Sequence, residues 1–233
     1  MKHFSNTYIF TFSAVLVLIV AAALSFTASS LKDRQQRNIE IETKRSILSS
    51  LGVASTVDNA ETLYAQYIKA SMVVSPAGDV LPDMKAEQVV VKEQVGKGSD
   101  RLLPLYKAKI DGQDYTVIPL AGKGLWGSIW GFIALESDMN TVKGVFYDHA
   151  TETPGLGAEI TTDKFKAPFK GKQIYDDAGT FVSVSVAKKV TYIPDNHTVD
   201  AISGGTMTSK GLDAMLKDCL RPYGNYFEKS KSN

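Results

Sequence analysis

Four hydroxyls and two adjacent glycines ahead of an amphipathic run make residues 200–210 the chemically best-equipped stretch of this 233-residue chain. It reads Asp200-Ala201-Ile202-Ser203-Gly204-Gly205-Thr206-Met207-Thr208-Ser209-Lys210. Beyond Thr208 the apolar residues Leu212, Met215, Leu216, Cys219 and Leu220 recur at helical spacing, so a helix is expected to start near Thr208. The loop then feeds a helix N-terminus, where unpaired N–H groups and the positive end of the helix dipole gather, and the glycines let an anion approach the backbone. Such a loop suits a phosphate. The same residues also describe an ordinary capped helix, because Ser, Thr and Gly before an apolar periodic run are common N-cap chemistry.

Two further glycine-rich stretches stand out. Gly122-Lys123-Gly124-Leu125-Trp126-Gly127 lacks the Gly-Lys-Ser/Thr ending of a P-loop and the spacing of a dinucleotide fingerprint. A tight turn with Trp126 in the core is its plain structural use. In Glu152-Thr153-Pro154-Gly155-Leu156-Gly157-Ala158-Glu159-Ile160, Pro154 fixes its own φ and biases Thr153 towards extended geometry, while Gly155 and Gly157 permit close approach of a flat ring. A metal centre at His149 and Glu152 is not expected, since His3 and His197 are remote in sequence and no further acidic or thiol ligand has diagnostic spacing. Neither a nucleophile elbow nor a Ser/His/Asp order supports hydrolase chemistry.

Asp200, two residues, Ser203-Gly204, a small residue, Thr206, one residue and Thr208 together resemble the flavinylation motif of proteins whose FMN phosphate is esterified to the last Thr. With the two glycine-rich stretches, the N-terminal apolar segment and the length, the chain resembles the C subunit of the sodium-translocating NADH:quinone reductases. Where this chain has Gly205, that family more often has Ala. The G subunit of the related Rnf complex shares the Glu-Thr-Pro-Gly-Leu-Gly stretch and the flavin loop, but Gly124-Leu125-Trp126 points to the C subunit of the reductases. The resemblance implies Thr208 as the covalent FMN site, with Ser203, Gly204, Gly205 and Thr206 around the phosphate. It makes Gly124, Leu125, Trp126, Glu152, Thr153, Gly155, Leu156 and Gly157 candidates for contact with the flavin.

It further implies an electron relay with no catalytic residue of its own, partnered by the other subunits of a membrane complex that couples electron transfer to sodium translocation. In that family a flavin transferase takes the FMN moiety from FAD and attaches it, and the resemblance implies the same partner here. A Thr hydroxyl is a poor nucleophile at neutral pH and has no base beside it in the sequence, which assigns its activation to that transferase. On local physics Thr206 and Ser209 are equally plausible acceptors; motif register alone selects Thr208. Competing readings are a G-subunit-like flavoprotein of an Rnf-type complex, a membrane-anchored scaffold without redox function, and a stand-alone flavin reductase.

These residues need a frame. With 26 basic and 25 acidic residues interleaved, a net charge of +1 offers no basic field for nucleic acid. The single Cys219 forms no internal disulfide and falls on the apolar face of the last long helix, as a small core thiol does. Residues 8–28 carry no charge, and about 20 residues at 1.5 Å each span a hydrocarbon core of roughly 30 Å. Cleavage as a signal peptide near Ala21 to Ala23 is the alternative. Lys32, Arg34 and Arg37 outnumber Lys2 and His3 across the span, so charge alone would keep the following domain in the cytoplasm. The resemblance implies the reverse: a bacterial inner-membrane, single-pass protein whose domain faces the periplasm.

The expected organisation is a short N-terminus at 1–7, a transmembrane helix at 8–28, a helical membrane-proximal segment at 29–75 and an FMN-binding domain at 76–233. Along the chain we expect a helix over 58–72 capped by Asp58, a strand near 88–95, and a hairpin of 105–110 and 115–118. Asp111-Gly112 turns that hairpin, with Gln113-Asp114 lengthening the loop beyond two residues. Another antiparallel pair is expected at 129–135 and 142–147, with Phe165, Phe169 and Ile174 beneath the sheet, a strand through Phe181, Val182, Val184 and Val186, and a segment 190–193 leading to a turn at 194–197. The fold class is α+β: an antiparallel sheet with flanking helices on one side or end, preceded by a single transmembrane helix.

Overall fold

A computed structural model describes residues 5–188 and 195–231. The expected segment at 190–193 and Pro194 lie outside the described residues. The chain divides into two compact units, residues 1–43 and 44–233. In the first, helix α1 (Asn6–Ser50) begins, and its early turns are long and apolar enough to cross a membrane. Phe10, Leu18 and Phe26 are exposed along it. A helix apolar on all faces is at home in a core or a bilayer.

The second unit is built on a six-stranded sheet in the order β2-β1-β3-β4-β5-β6, antiparallel throughout. Helix α2 (Ala60–Tyr67) is followed directly by β1 (Ile68–Val74) and β2 (Val80–Leu81). The expected helix over 58–72 is therefore cut at Tyr67, because the run from Ile68 to Val74 pairs with β3 (Leu103–Ile110). Its N-cap is Asn59 and not Asp58. The expected strand near 88–95 is instead a 3-10 turn (Ala86–Gln88) and a one-turn helix, α3 (Val91–Gln94). Buried Gln94 decides the second: its side-chain carbonyl accepts the Leu102 amide at 3.2 Å, a local contact that valine β-propensity does not outweigh without a partner strand.

Between β3 and β4 (Gln113–Lys123) the loop is two residues, with Ile110 opposite Gln113 and both Asp111 and Gly112 at positive φ. That is the type I′ geometry matching strand twist, so the longer loop expected here is not needed. Strands β5 (Ser128–Leu135) and β6 (Val142–His149) complete the sheet where alternation predicted them.

Alternate residues build two cores. Leu105, Ile118, Leu120, Ile129, Ile133 and Tyr147 point to one face; Tyr106, Tyr115, Val117, Phe132 and Ala134 point to the other. The second face is covered by Ile47 and Leu51, so helical cover exists on both sides of the sheet rather than on one. Phe165 of α4 (Asp163–Lys166), Phe169 and Ile174 pack under the first face as expected, with the Phe169 ring 5.3 Å from that of Tyr147. The strand expected through 181–186 is shortened to β7 (Ser185–Ala187), parallel to β8 (Thr198–Asp200). Ser183 at φ 64° breaks the extended run, and the amides of Val182 and Ser183 both donate to the Ile174 carbonyl at 2.9 Å. Helix α5 (Thr206–Leu220) lays Leu212, Met215, Leu216, Cys219 and Leu220 on the first face, each fully or nearly fully buried, and α6 (Gly224–Lys231) adds Tyr226 and Phe227. Burying one such leucine contributes roughly 1.5–3 kcal/mol, which fixes α5 to the sheet before any ligand is considered.

Candidate functional site

Helix α5 begins at Thr206, two residues before the sequence suggests, with Gly205 at the N-cap supplying no side-chain cap. Thr208 therefore lies in the first turn, four residues before Leu212, on the face that turns to the sheet. It is 1 % exposed. Thr206 and Met207 point outward, and buried Ser209 accepts the Ile202 amide at 3.1 Å, folding the 202–205 bend back on the helix.

Two strand ends meet that turn. The hairpin between β4 and β5 leaves the loop 124–127, closed by the Gly124 amide donating to the Gly127 carbonyl at 2.8 Å. From the end of β6 comes Glu152, 4 % exposed, whose amide donates to Nδ1 of His149 at 3.2 Å. The Glu152 carboxylate ties all three segments together. Its Oε1 accepts the Trp126 amide at 2.9 Å and its Oε2 accepts the Thr208 hydroxyl at 2.5 Å. Burial pushes this carboxyl up, but the Thr208 hydroxyl, the amides of Trp126 and Gly127, and nearby His149 outweigh it and hold it below the ordinary glutamate value. The group is an anion at neutral pH.

Glycine is needed where these segments touch. A Cβ on Gly157 would stand 2.4 Å from both Glu152 Oε2 and Thr208 Oγ1; one on Gly204 would stand 2.7 Å from Leu156 Cδ2. Gly155 is different: at φ 75° with nothing within 4 Å of a Cβ, it serves the backbone turn. Around the rim Leu125, Trp126, Leu156 and Met207 are exposed, Trp126 at 68 %, so the tight turn does not bury Trp126 in the core. Such a patch of large apolar side chains on a polar rim is the kind of surface that takes a ligand or a partner.

The structure brings Gly124, Trp126, Glu152, Leu156, Gly157, Gly204, Gly205 and Thr208 to one place. Ser203, Thr206 and Thr153 are exposed at its edge. Glu152, one of the candidates for flavin contact, has its carboxylate hydrogen-bonded by the Thr208 hydroxyl and the amides of Trp126 and Gly127. Thr208, without a carboxylate or imidazole beside it in sequence, has the Glu152 carboxylate beside it in space. His149 backs Glu152 by accepting its amide, and among the described residues there is no cluster of three or more acidic, His or Cys side chains placed to hold a metal ion. Gly211 lies outside all three sequence motifs, although its Cα side approaches the Lys123 carbonyl closely; glycine inside a helical run is the signal that marks it.

The family model described as the FMN-binding domain matches residues 124–221, which begins at the β4–β5 loop and ends just past α5. Among curated relatives, the C subunit of the Na(+)-translocating NADH-quinone reductase of Pasteurella multocida is 32% identical over 95% of this chain and 94% of its own length. That of Haemophilus ducreyi is 30% identical, covering 97% of this chain and 93% of the relative. This chain belongs to the C-subunit family of the Na(+)-translocating NADH-quinone reductases. The crystal structure of the C subunit from Parabacteroides distasonis superposes with a TM-score of 0.78 at 38% identity, over 84% of this chain and 96% of that one. The fold of this family is thus the α+β arrangement expected from alternation and helical period.

Proposed function

We propose that this chain is the electron-relay subunit that carries FMN in a membrane NADH:quinone reductase coupled to sodium translocation, with the flavin phosphate esterified to Thr208. The observation that carries the site is the Glu152 carboxylate, which gathers the Trp126 loop, the 152–157 loop and the first turn of α5 around one hydroxyl. These residues suit FMN. The uncapped N-terminal turn of α5 offers unpaired amides and a positive dipole end to the phosphate. Gly204 and Gly157 keep the approach free of side chains, and exposed Leu125, Trp126, Leu156 and Met207 offer apolar cover for a flat ring. FMN supplies the electron chemistry when bound; the chain attaches it, orients it and limits water around it.

The test is direct. After denaturing electrophoresis of protein matured with a flavin transferase, flavin fluorescence should travel with the polypeptide. A colourless, non-fluorescent band would end the covalent reading.

The helical segment 8–28 anchors the protein by a single pass in the inner membrane, and the reading places the domain that follows in the periplasm. Long domains cross a membrane largely regardless of the flanking Lys32, Arg34 and Arg37. Protease added to intact spheroplasts is expected to degrade the domain. Protection until the membrane is ruptured would reverse the orientation.

A further inference from the structure

We propose that Glu152 is the general base by which this chain activates its own acceptor, taking the Thr208 proton as flavin is attached. The inference rests on Thr208 being the attachment site. It is carried by geometry: the Thr208 hydroxyl donates to Glu152 Oε2 at 2.5 Å, within the range of a charge-assisted O–H···O bond and of a general base in place. Its proton is aimed at the carboxylate, and the lone pairs of Oγ1 are left for bond formation. Neither other hydroxyl in the motif shares this arrangement. Thr206 is exposed, and Ser209 is engaged with the Ile202 amide.

The carboxylate is held for the task. The amides of Trp126 and Gly127 fix it from the β4–β5 loop, with Oε1 at 2.9 Å from the Trp126 nitrogen. From the end of β6, His149 faces it and accepts its backbone amide; α5 brings the Thr208 hydroxyl. Of the charged groups, His149 is the one that acts on it, and with the hydrogen bonds from Thr208, Trp126 and Gly127 the carboxyl is held below the ordinary glutamate value and stays an anion across the neutral range. Burying a carboxylate until it is only 4 % exposed is costly unless it is paired, and here part of its pairing is with the one hydroxyl the chemistry uses.

The step balances without a change of oxidation state. Thr208 Oγ1 gives its proton to Glu152 Oε2 and bonds to the phosphorus of the FMN half of a flavin adenine dinucleotide. The pyrophosphate P–O bond breaks, AMP leaves with the bridging oxygen, and protonated Glu152 returns its proton to solvent. An acidic side chain accepting a substrate hydroxyl proton serves kinases in the same way. Gly157 lies over the pair, where even a Cβ would meet Glu152 Oε2 and Thr208 Oγ1.

The experiment uses the full-length chain in detergent with a flavin transferase and FAD, following flavin bound to the polypeptide over time. Glu152→Gln keeps the shape and an acceptor for Trp126 but not the base. It is expected to slow attachment on the order of 10²-fold or more at pH 7. Wild type and variant share the transferase, so the ratio of their rates isolates Glu152: it should shrink as pH rises from 6 to 9 and hydroxide replaces the missing base. A rate within about threefold of wild type, or a deficit constant with pH, would overturn the proposal. If Glu152→Gln does not fold, Glu152→Asp decides, because a carboxylate one methylene shorter should attach flavin at least about tenfold more slowly, and an equal rate overturns the idea. Thr208→Ala separates the two readings: flavin on that variant refutes the attachment site itself, whereas its loss there with full-rate Glu152→Gln refutes the base alone.

Discussion

Thr208→Ala is expected to give a folded, membrane-inserted chain with no covalent flavin, and to stop electron flow through the reductase. The loss should be complete, since the substitution removes the motif hydroxyl that is aimed at an anionic base. The cost to folding is bounded by what the side chain does. Alanine suits the first turn of α5, and the Glu152 carboxylate keeps its Trp126 and Gly127 donors, so one lost buried hydrogen bond costs about 1–3 kcal/mol. Thr206→Ala, at an exposed position, should lower yield at most. Peptide mass spectrometry of the wild type and both variants checks this. FMN located on Thr206 or Ser209, or kept covalently by Thr208→Ala, would contradict it.

Physical reasons separate what the sequence discloses from what it hides. Strands β3 to β6 are legible because each alternates between two cores, and two of the three turns between them carry Asp-Gly (111–112) and Ser-Asp-Met-Asn (137–140) chemistry. Segments 68–72 and 88–95 depart from expectation because tertiary pairing decides both: pairing with β3 overrides helical period in the first, and without a partner strand β-propensity does not prevail in the second. The three loops of the site are readable as motifs. The bond between Glu152 and Thr208 is not, because the two lie 56 residues apart and meet through the register of β6 and the seating of α5. That register sets the Glu152 carboxylate against the Thr208 hydroxyl.

Gly211→Ala is the substitution with the largest expected effect on the fold around the site. Helix propensity favours alanine by about 1 kcal/mol, so on local physics the change should stabilise. The packing opposes it. A Cβ on Gly211 would sit 2.2 Å from the Lys123 carbonyl oxygen, 3.1 Å from its carbon and 3.3 Å from the Gly124 Cα. All three are backbone atoms of the β4 end, so no side chain can swing away. Either α5 lifts off the sheet or the 124–127 loop is displaced, and overpacking of this kind costs roughly 1–3 kcal/mol, enough to exceed the propensity gain. Thr208, one turn earlier on the same helix, would shift against Glu152, whose Oε1 is pinned by the Trp126 amide in that very loop. Gly224→Ala is the matched control, as its Cβ would meet only the Tyr175 hydroxyl at an ordinary 3.7 Å. Melting in detergent should show Gly211→Ala falling by roughly 2–8 °C, with a slower rate of flavin attachment, while Gly224→Ala stays near wild type. A Gly211→Ala protein that melts at or above the wild type and takes flavin at full rate would mean that α5 does not rest on the β4 carbonyl, and that the spacing of Thr208 from Glu152 is set elsewhere.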